Sequence, residues 1–135
     1  MAFKARESLD TNIILRLMLK DVPVQCEKIQ DLLMRRGYIY DVADLAITEA
    51  VYVMKSHYGL SREKIVDGIN RLVGFPALNY NRNLFERVLP MYLECPKLSF
   101  NDCCLAGYAA LNEAEPLWTF DRALARESGT AKLVA

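Results

Sequence analysis

Histidine is almost missing from this chain: His57 stands alone, and no two cysteines are spaced as a C-x-x-C pair. Zinc sites usually take their donors in closely spaced pairs, and with that spacing absent and one histidine to complete a set, the four cysteines, Cys26, Cys95, Cys103 and Cys104, read as reduced core thiols. No G-x-S-x-G elbow or glycine-rich phosphate cradle occurs, and a lone histidine cannot serve a serine or cysteine nucleophile. No segment reaches the roughly 18 consecutive apolar residues of a membrane span. The charged stretch from Met1 to Glu7 lacks the apolar run of a secretory signal. Net charge is missing as well: 17 lysines and arginines balance 17 aspartates and glutamates, so any grip on nucleic acid must be local. These absences describe a soluble, cytoplasmic protein.

What is present is enough for a folded core. The chain has 135 residues, 53% of them hydrophobic and 25% charged. A chain of about 150 residues hides roughly two thirds of its surface on folding. We expect one domain, residues 1–135.

The hydrophobic pattern alternates short strands with helices. Ala5 to Leu9 is expected to form a strand that stops at Asp10, followed by a helix over Asn12 to Leu19 with Ile13, Ile14, Leu17 and Met18 at helical spacing. Pro23 opens a second helix to about Arg36, with Ile29, Leu32 and Leu33 inward and Gly37 as its stop. Tyr38 to Val42, aromatic and β-branched, is the second strand. Asp44 then caps a helix of about fourteen residues ending near Tyr58-Gly59. Ser61 opens a fourth helix carrying Ile65, Ile69, Leu72 and Val73, ended by Gly74, Phe75 and Pro76. Asn79 to Asn83 reads as polar loop or helix start. A fifth helix holds Leu84, Val88, Leu89, Met91 and Tyr92, with Pro90 bending it. Ser99 and Asp102 form a capping box for a helix that is apolar or small from Cys103 to Leu111 and so buried all round. Leu117 to Phe120 is a strand ending at Asp121, Arg122 to Glu127 a helix broken by Gly129, and Lys132 to Val134 a last strand. This order implies an α/β fold with a mostly parallel central sheet of four to five strands flanked by helices on both faces.

Four acids stand out in that frame. Asp10 and Asp121 each follow a strand directly, and ligands of parallel α/β sheets bind at the carboxyl ends of strands. Glu49 lies about 100° around its helix from the polar arc of Asp44, Thr48 and Lys55, among Leu45, Ala46, Tyr52 and Val53, on a face expected to be buried. Asp102 begins the helix expected to be buried all round. Each has a structural alternative: Asp10, Asp102 and Asp121 suit helix caps, and Glu49 suits a helix edge with its tip in water. If they meet, four carboxylates cannot all stay ionised without a cation, because like charges raise one another's pKa. Carboxylate oxygens suit Mg2+ or Mn2+, and such ions support hydrolysis of a phosphodiester by metal-activated water.

Leu9-Asp10-Thr11-Asn12, the helix with Glu49, Asn101-Asp102-Cys103-Cys104-Leu105-Ala106 and Thr119-Phe120-Asp121-Arg122, in that order, resemble the PIN-domain ribonucleases. More narrowly, they are similar to the VapC-type toxins of toxin–antitoxin pairs. Tyr58-Gly59-Leu60-Ser61-Arg62-Glu63-Lys64-Ile65 resembles the turn after the glutamate helix in that family. The resemblance runs from about Leu9 to Val134. It implies a three-layer α/β/α fold and a Mg2+- or Mn2+-dependent endoribonuclease that cuts a structured RNA, a tRNA or rRNA, and stops translation. Carried over by position, Asp10, Glu49, Asp102 and Asp121 are the catalytic, metal-binding acids, with Asn12 and Thr119 in support. The resemblance also implies a homodimer and a cognate antitoxin seated on an apolar groove, for which the first two helices offer Ile13, Ile14, Leu17, Met18, Leu32 and Leu33; ordinary core is the alternative for these six. Many members carry an acid where this chain has Ser99, so a fifth carboxylate is absent.

Two other readings remain open at this stage. A phosphatase of another α/β family would use Asp10 as a covalent nucleophile, but such enzymes usually want a second aspartate where Asn12 stands. A PIN-like interaction module would bind a partner without chemistry. Arg16, Lys55, Arg82 and Arg122 are the basic residues considered for phosphate contact, with surface solvation as the alternative.

Overall fold

Parallel strands need a long crossover, and the first one here consists of two helices. The computed structural model describes residues 5–134. Strand β1, Ala5–Ser8, leads through Leu9 and Asp10 into α1, Thr11–Leu19, and α2, Pro23–Leu33, before β2, Tyr38–Asp41, returns beside β1 in parallel. Helices α3, Asp44–Ser56, and α4, Arg62–Val73, make the second crossover to β3, Leu78–Asn79, which pairs in parallel with β2. The sheet order is β1-β2-β3. Then come α5, Arg82–Glu94, α6, Phe100–Leu111, and a parallel pair, β4, Leu117–Thr119, and β5, Ala131–Leu133, joined by α7, Arg122–Ser128. Among the described residues every strand pairs in parallel, as the α/β reading requires, three in one sheet and two in another rather than all in one. No helix among the described residues is long and apolar enough to cross a membrane.

The chain forms two compact units, Met1–Asn81 and Arg82–Ala135. In the first, α1 packs against α2, α3 and α4. Ile14, Leu17, Met18, Ile47, Met54, Ile65, Ile69 and Leu72 are fully buried there, so the apolar stripes of α1, α3 and α4 face one another. A Cβ on Gly68 would sit 3.0 Å from Met54 Cε and 3.3 Å from Met18 Cβ, so glycine permits the close approach of α4 to both neighbours. Tyr40 is buried, and its hydroxyl is not stranded: it donates to the Leu32 carbonyl at 2.8 Å and accepts from Arg35 Nε at 2.9 Å. Arg35 lies 3.9 Å over the Tyr38 ring and also pairs with Glu7, clamping the end of α2 to the sheet.

In the second unit, the core is aromatic. Phe100 stacks on Phe85 at 6.2 Å between ring centroids and meets Tyr92 edge-on at 5.2 Å. Gly107 lets α6 lie tight on α5, because a Cβ there would come within 2.8 Å of Leu84 Cδ1. Pro90 is accommodated inside α5. Gly129 ends α7 with φ at 72°, a left-handed cap that suits glycine.

Several boundaries differ from expectation. Helix α2 stops at Leu33 rather than near Arg36. Asp44 is the first residue of α3, whose N-cap is Ala43, without a side-chain cap. Strand β3 replaces the expected loop at Asn79. It is two residues long, too short for alternation to show, and exists because Tyr40 N donates to Ala77 O and Val42 N to Asn79 O, both at 2.9 Å. Helix α6 is not buried all round, since Leu105 is 51% exposed. Of the four cysteines, Cys26, Cys103 and Cys104 are buried and Cys95 is partly so.

Candidate active site

Each of the four acids is held by a bond that its local sequence explains, except one. Asp10 caps α1: Oδ1 accepts from Ile13 N at 3.0 Å, a carboxylate satisfying one of the helix's orphan amides. Asp121 does the same for α7, with Oδ1 accepting from Leu124 N at 3.1 Å. Asp102 and Ser99 form the capping box reciprocally: Ser99 Oγ accepts from Asp102 N and Asp102 Oδ2 from Ser99 N, both at 3.0 Å. Glu49 is the exception. Its Oε2 accepts from the Thr11 hydroxyl at 2.8 Å, a bond between residues 38 positions apart.

That bond ties the glutamate helix to the first turn of α1, one residue after Asp10. Asp10 and Glu49 are therefore anchored on the same strand–helix seam of the first unit. The expected burial of Glu49's face is corrected: Glu49 is exposed, and so are Leu45 at 69% and Tyr52 at 68%, which lie one turn away on either side. Their apolar character had suggested a core-facing arc, but Ala46, Ile47, Ala50, Val51 and Met54 supply that arc instead. In the second unit, Thr119 Oγ1 accepts from Asp121 N at 2.9 Å and so orients the cap residue from β4.

One feature is common to all four acids. Each engages the protein through a single carboxylate oxygen, and the other oxygen has no hydrogen bond or ion pair among the described residues. Such a carboxylate is oriented yet keeps donor capacity, which suits a hard cation. Neither unit alone gathers three or more histidine, cysteine, aspartate or glutamate side chains as a metal-binding set among its described residues.

Thr11 is the residue that sequence reading passed over. Its only local signal is a hydroxyl in the first turn beside Asp10; its partner comes from another helix. Asn12 is exposed and lines a cleft of about 460 Å³ with Ile13, Arg16, Gln25, Lys28 and Ile29, between α1 and α2. Of the six apolar residues considered for a partner groove, Ile14, Leu17, Met18 and Leu33 are core, 5% exposed or less, because α1 turns them onto α3 and α4 or α2 onto the interior. Ile13 and Leu32 are half-buried. Arg16 is paired with Asp21 at 2.8 Å, and Arg82 lies 3.8 Å from Glu86.

A second cleft, of about 530 Å³, opens across the carboxyl ends of the three-stranded sheet, lined by Ser8, Leu9, Asp41, Val42, Ala43, Asp44, Asn79, Tyr80 and Asn81. Arg6 Nη2 donates to both oxygens of Asp41 at 3.0 and 2.8 Å, and Asn79 Nδ2 donates to Asp41 Oδ1 at 3.0 Å. The Asn79 amide and then the Arg6 guanidinium hold the Asp41 carboxyl below its usual range. Asn81 Nδ2 donates to Asp44 Oδ2 at 3.0 Å.

The capping box makes a stability prediction. Ser99→Ala removes the acceptor for Asp102 N and should cost about 1 kcal/mol. Urea unfolding of the variant checks it, and an unchanged midpoint would show that the box contributes nothing.

Compared with known families, the PIN domain model matches residues 8–128, a stretch that includes all four acids and most of both units. Among curated proteins, none matches the chain.

Proposed function

Because the chain belongs to the PIN-domain family, we propose that it is an endoribonuclease dependent on Mg2+ or Mn2+. PIN domains are generally nucleases and typically use divalent metals. The proposal adds that both units form one nuclease domain and that Asp10, Glu49, Asp102 and Asp121 are its catalytic acids. The observation that carries it is the shared state of these acids, each held by one oxygen with the other left without a protein partner among the described residues.

When bound, a divalent cation supplies Lewis acidity to the phosphodiester and acidifies a water near it. The chain's own work is positional. Asp10 and Glu49 present oxygens from the first unit, and Asp102 and Asp121 present oxygens from the second. The helix amides of Ile13 and Leu124 fix the rotation of Asp10 and Asp121, while Thr11 fixes that of Glu49. Thr119 holds the backbone of Asp121; Asn12, two residues after Asp10 and exposed, is the other supporting residue of the proposal.

The substrate we propose is a structured RNA, a tRNA or rRNA whose cleavage stops translation, with the chain acting as the homodimeric toxin of a VapC-type pair. The order of the four motifs supports that subtype. The surface offered to the cognate antitoxin is the cleft between α1 and α2, where Ile13 and Ile29 lie among Asn12, Arg16, Gln25 and Lys28. A second reading, a PIN-like interaction module without catalysis, is favoured by the fact that neither unit alone gathers three metal donors among the described residues.

Incubating the purified chain with total cellular RNA in Mg2+ or Mn2+, with an EDTA control, separates the two. Discrete fragments made only with metal establish the nuclease, and end mapping identifies its target. A folded protein that leaves RNA intact in either metal moves the function to the interaction module.

The Thr11–Glu49 bond yields a sharper result. Thr11→Val keeps the shape and removes the donor, and cleavage should fall roughly ten- to a hundredfold, as when a group orienting a metal ligand is lost. Thermal unfolding should barely change, because the N-cap of α1 is Asp10 and not Thr11. Initial rates of RNA cleavage at saturating metal would settle whether Thr11 is a positioning residue.

A further inference from the structure

The cleft at the carboxyl ends of β1, β2 and β3 is not used by the four acids, and its chemistry differs from theirs. We propose that it is a nucleoside subsite that takes one unpaired base of the RNA, favouring bases with an exocyclic amino group. The substrate class rests on the nuclease reading; the preference comes from the cleft itself.

Acceptors dominate the lining. Asp41 and Asp44 can only accept, and each is already oriented by an asparagine amide, Asn79 on Asp41 and Asn81 on Asp44. With its NH2 group on Asp41, the Asn79 amide has its oxygen as a further acceptor. Arg6 balances the charge of Asp41 from β1, so the cleft is acceptor-rich without being strongly charged. A phosphate would meet carboxylates here and be repelled. A neutral base carrying amino hydrogens would find partners, as cytosine N4 does with carboxylates in nucleic-acid grooves.

Shape and place agree with that ligand. Tyr80, half-buried, is among the lining residues, and bases stack on aromatic side chains. The cleft's volume of about 530 Å³ falls within the usual range for small-molecule sites. Ser8 and Leu9 line it and directly precede Asp10, so a base seated here belongs to a nucleotide close to the proposed cleavage centre. The paired side chains need little reordering on binding, which favours affinity. A metal is the poorer occupant, since no set of three metal donors exists there among the described residues.

Cytidine and uridine provide the test, because they differ chiefly in an amino group against a carbonyl. The isotopically labelled full chain in EDTA, titrated with each nucleoside, should show saturable NMR shifts at Val42, Asn79, Tyr80 and Asn81 with cytidine. Uridine should bind about fivefold more weakly, the worth of one hydrogen bond. Cytidine 5′-monophosphate should bind no better than cytidine. Asn79→Ala, on an exposed strand end, should weaken cytidine binding by a similar factor. Equal binding of the two nucleosides, shifts confined to other residues, or tighter binding of the monophosphate would overturn the proposal. So would shifts of the same amides on raising protein concentration alone, which would mean that a second copy covers the cleft. Nucleosides contain no scissile bond, so cytidine binding in a chain that fails to cut RNA would uphold the subsite while removing the nuclease.

Discussion

Asp10→Asn is expected to lose RNA cleavage by on the order of a thousandfold, the scale of removing one group that stabilises transition-state charge. The same variant should unfold at the parent's urea midpoint. Asparagine is as good an N-cap as aspartate, and its Oδ1 can accept from Ile13 N as Asp10 does. The substitution thus removes the charge and keeps the cap. Asp121→Asn makes the same separation at α7, where Leu124 N is the donor. Cleavage rates and urea curves on both variants test it together. Full activity in Asp10→Asn would reduce Asp10 to a cap and take the proposed cation with it; lost activity together with lost stability would point to a capping role after all.

Phe100→Ala is expected to destabilise the fold by about 3–5 kcal/mol, the range for truncating a buried phenylalanine. Phe100 is 5% exposed, stacked on Phe85 and edge-on to Tyr92, so its removal leaves a cavity bounded by two rings that cannot both move in to fill it. It is also the first residue of α6, between Ser99 and Asp102. The loss therefore falls where an acid is oriented. Urea unfolding should show a lower midpoint with an unchanged slope. At low temperature, where the variant remains folded, its cleavage rate should fall far less than that of Asp10→Asn. A midpoint shifted by no more than a surface substitution would mean that the aromatic cluster repacks.

The parts of the site readable from sequence are those whose partners lie within a helical turn. Asp10, Asp121 and the Ser99–Asp102 pair were legible as caps, because donor and acceptor are three residues apart. Their place after strands was legible too, from apolar runs that end at an acid. Glu49 was legible as an unusual residue but not in its surroundings: Leu45 and Tyr52 share its face and are exposed, which periodicity cannot foresee when a helix has more apolar residues than its core-facing arc needs. The same excess made Ile14, Leu17, Met18 and Leu33 look like surface anchors or core with equal ease until α3 and α4 are packed against α1, where they are core.

What the sequence determined alone is therefore most of the order of strands and helices, most of the helix ends, and the four acids, three of them at those ends and Glu49 inside α3. The tertiary structure decided the rest: the Thr11–Glu49 bond across 38 positions, the Arg6–Asp41 pair across 35, the Asn79–Asp41 bond across 38, and β3, which exists only as a partner of β2. The reason is the range of the interactions. A cap forms wherever a short side chain and a free helix amide are neighbours in the chain, whereas these contacts form only after hydrophobic burial has brought distant segments into register.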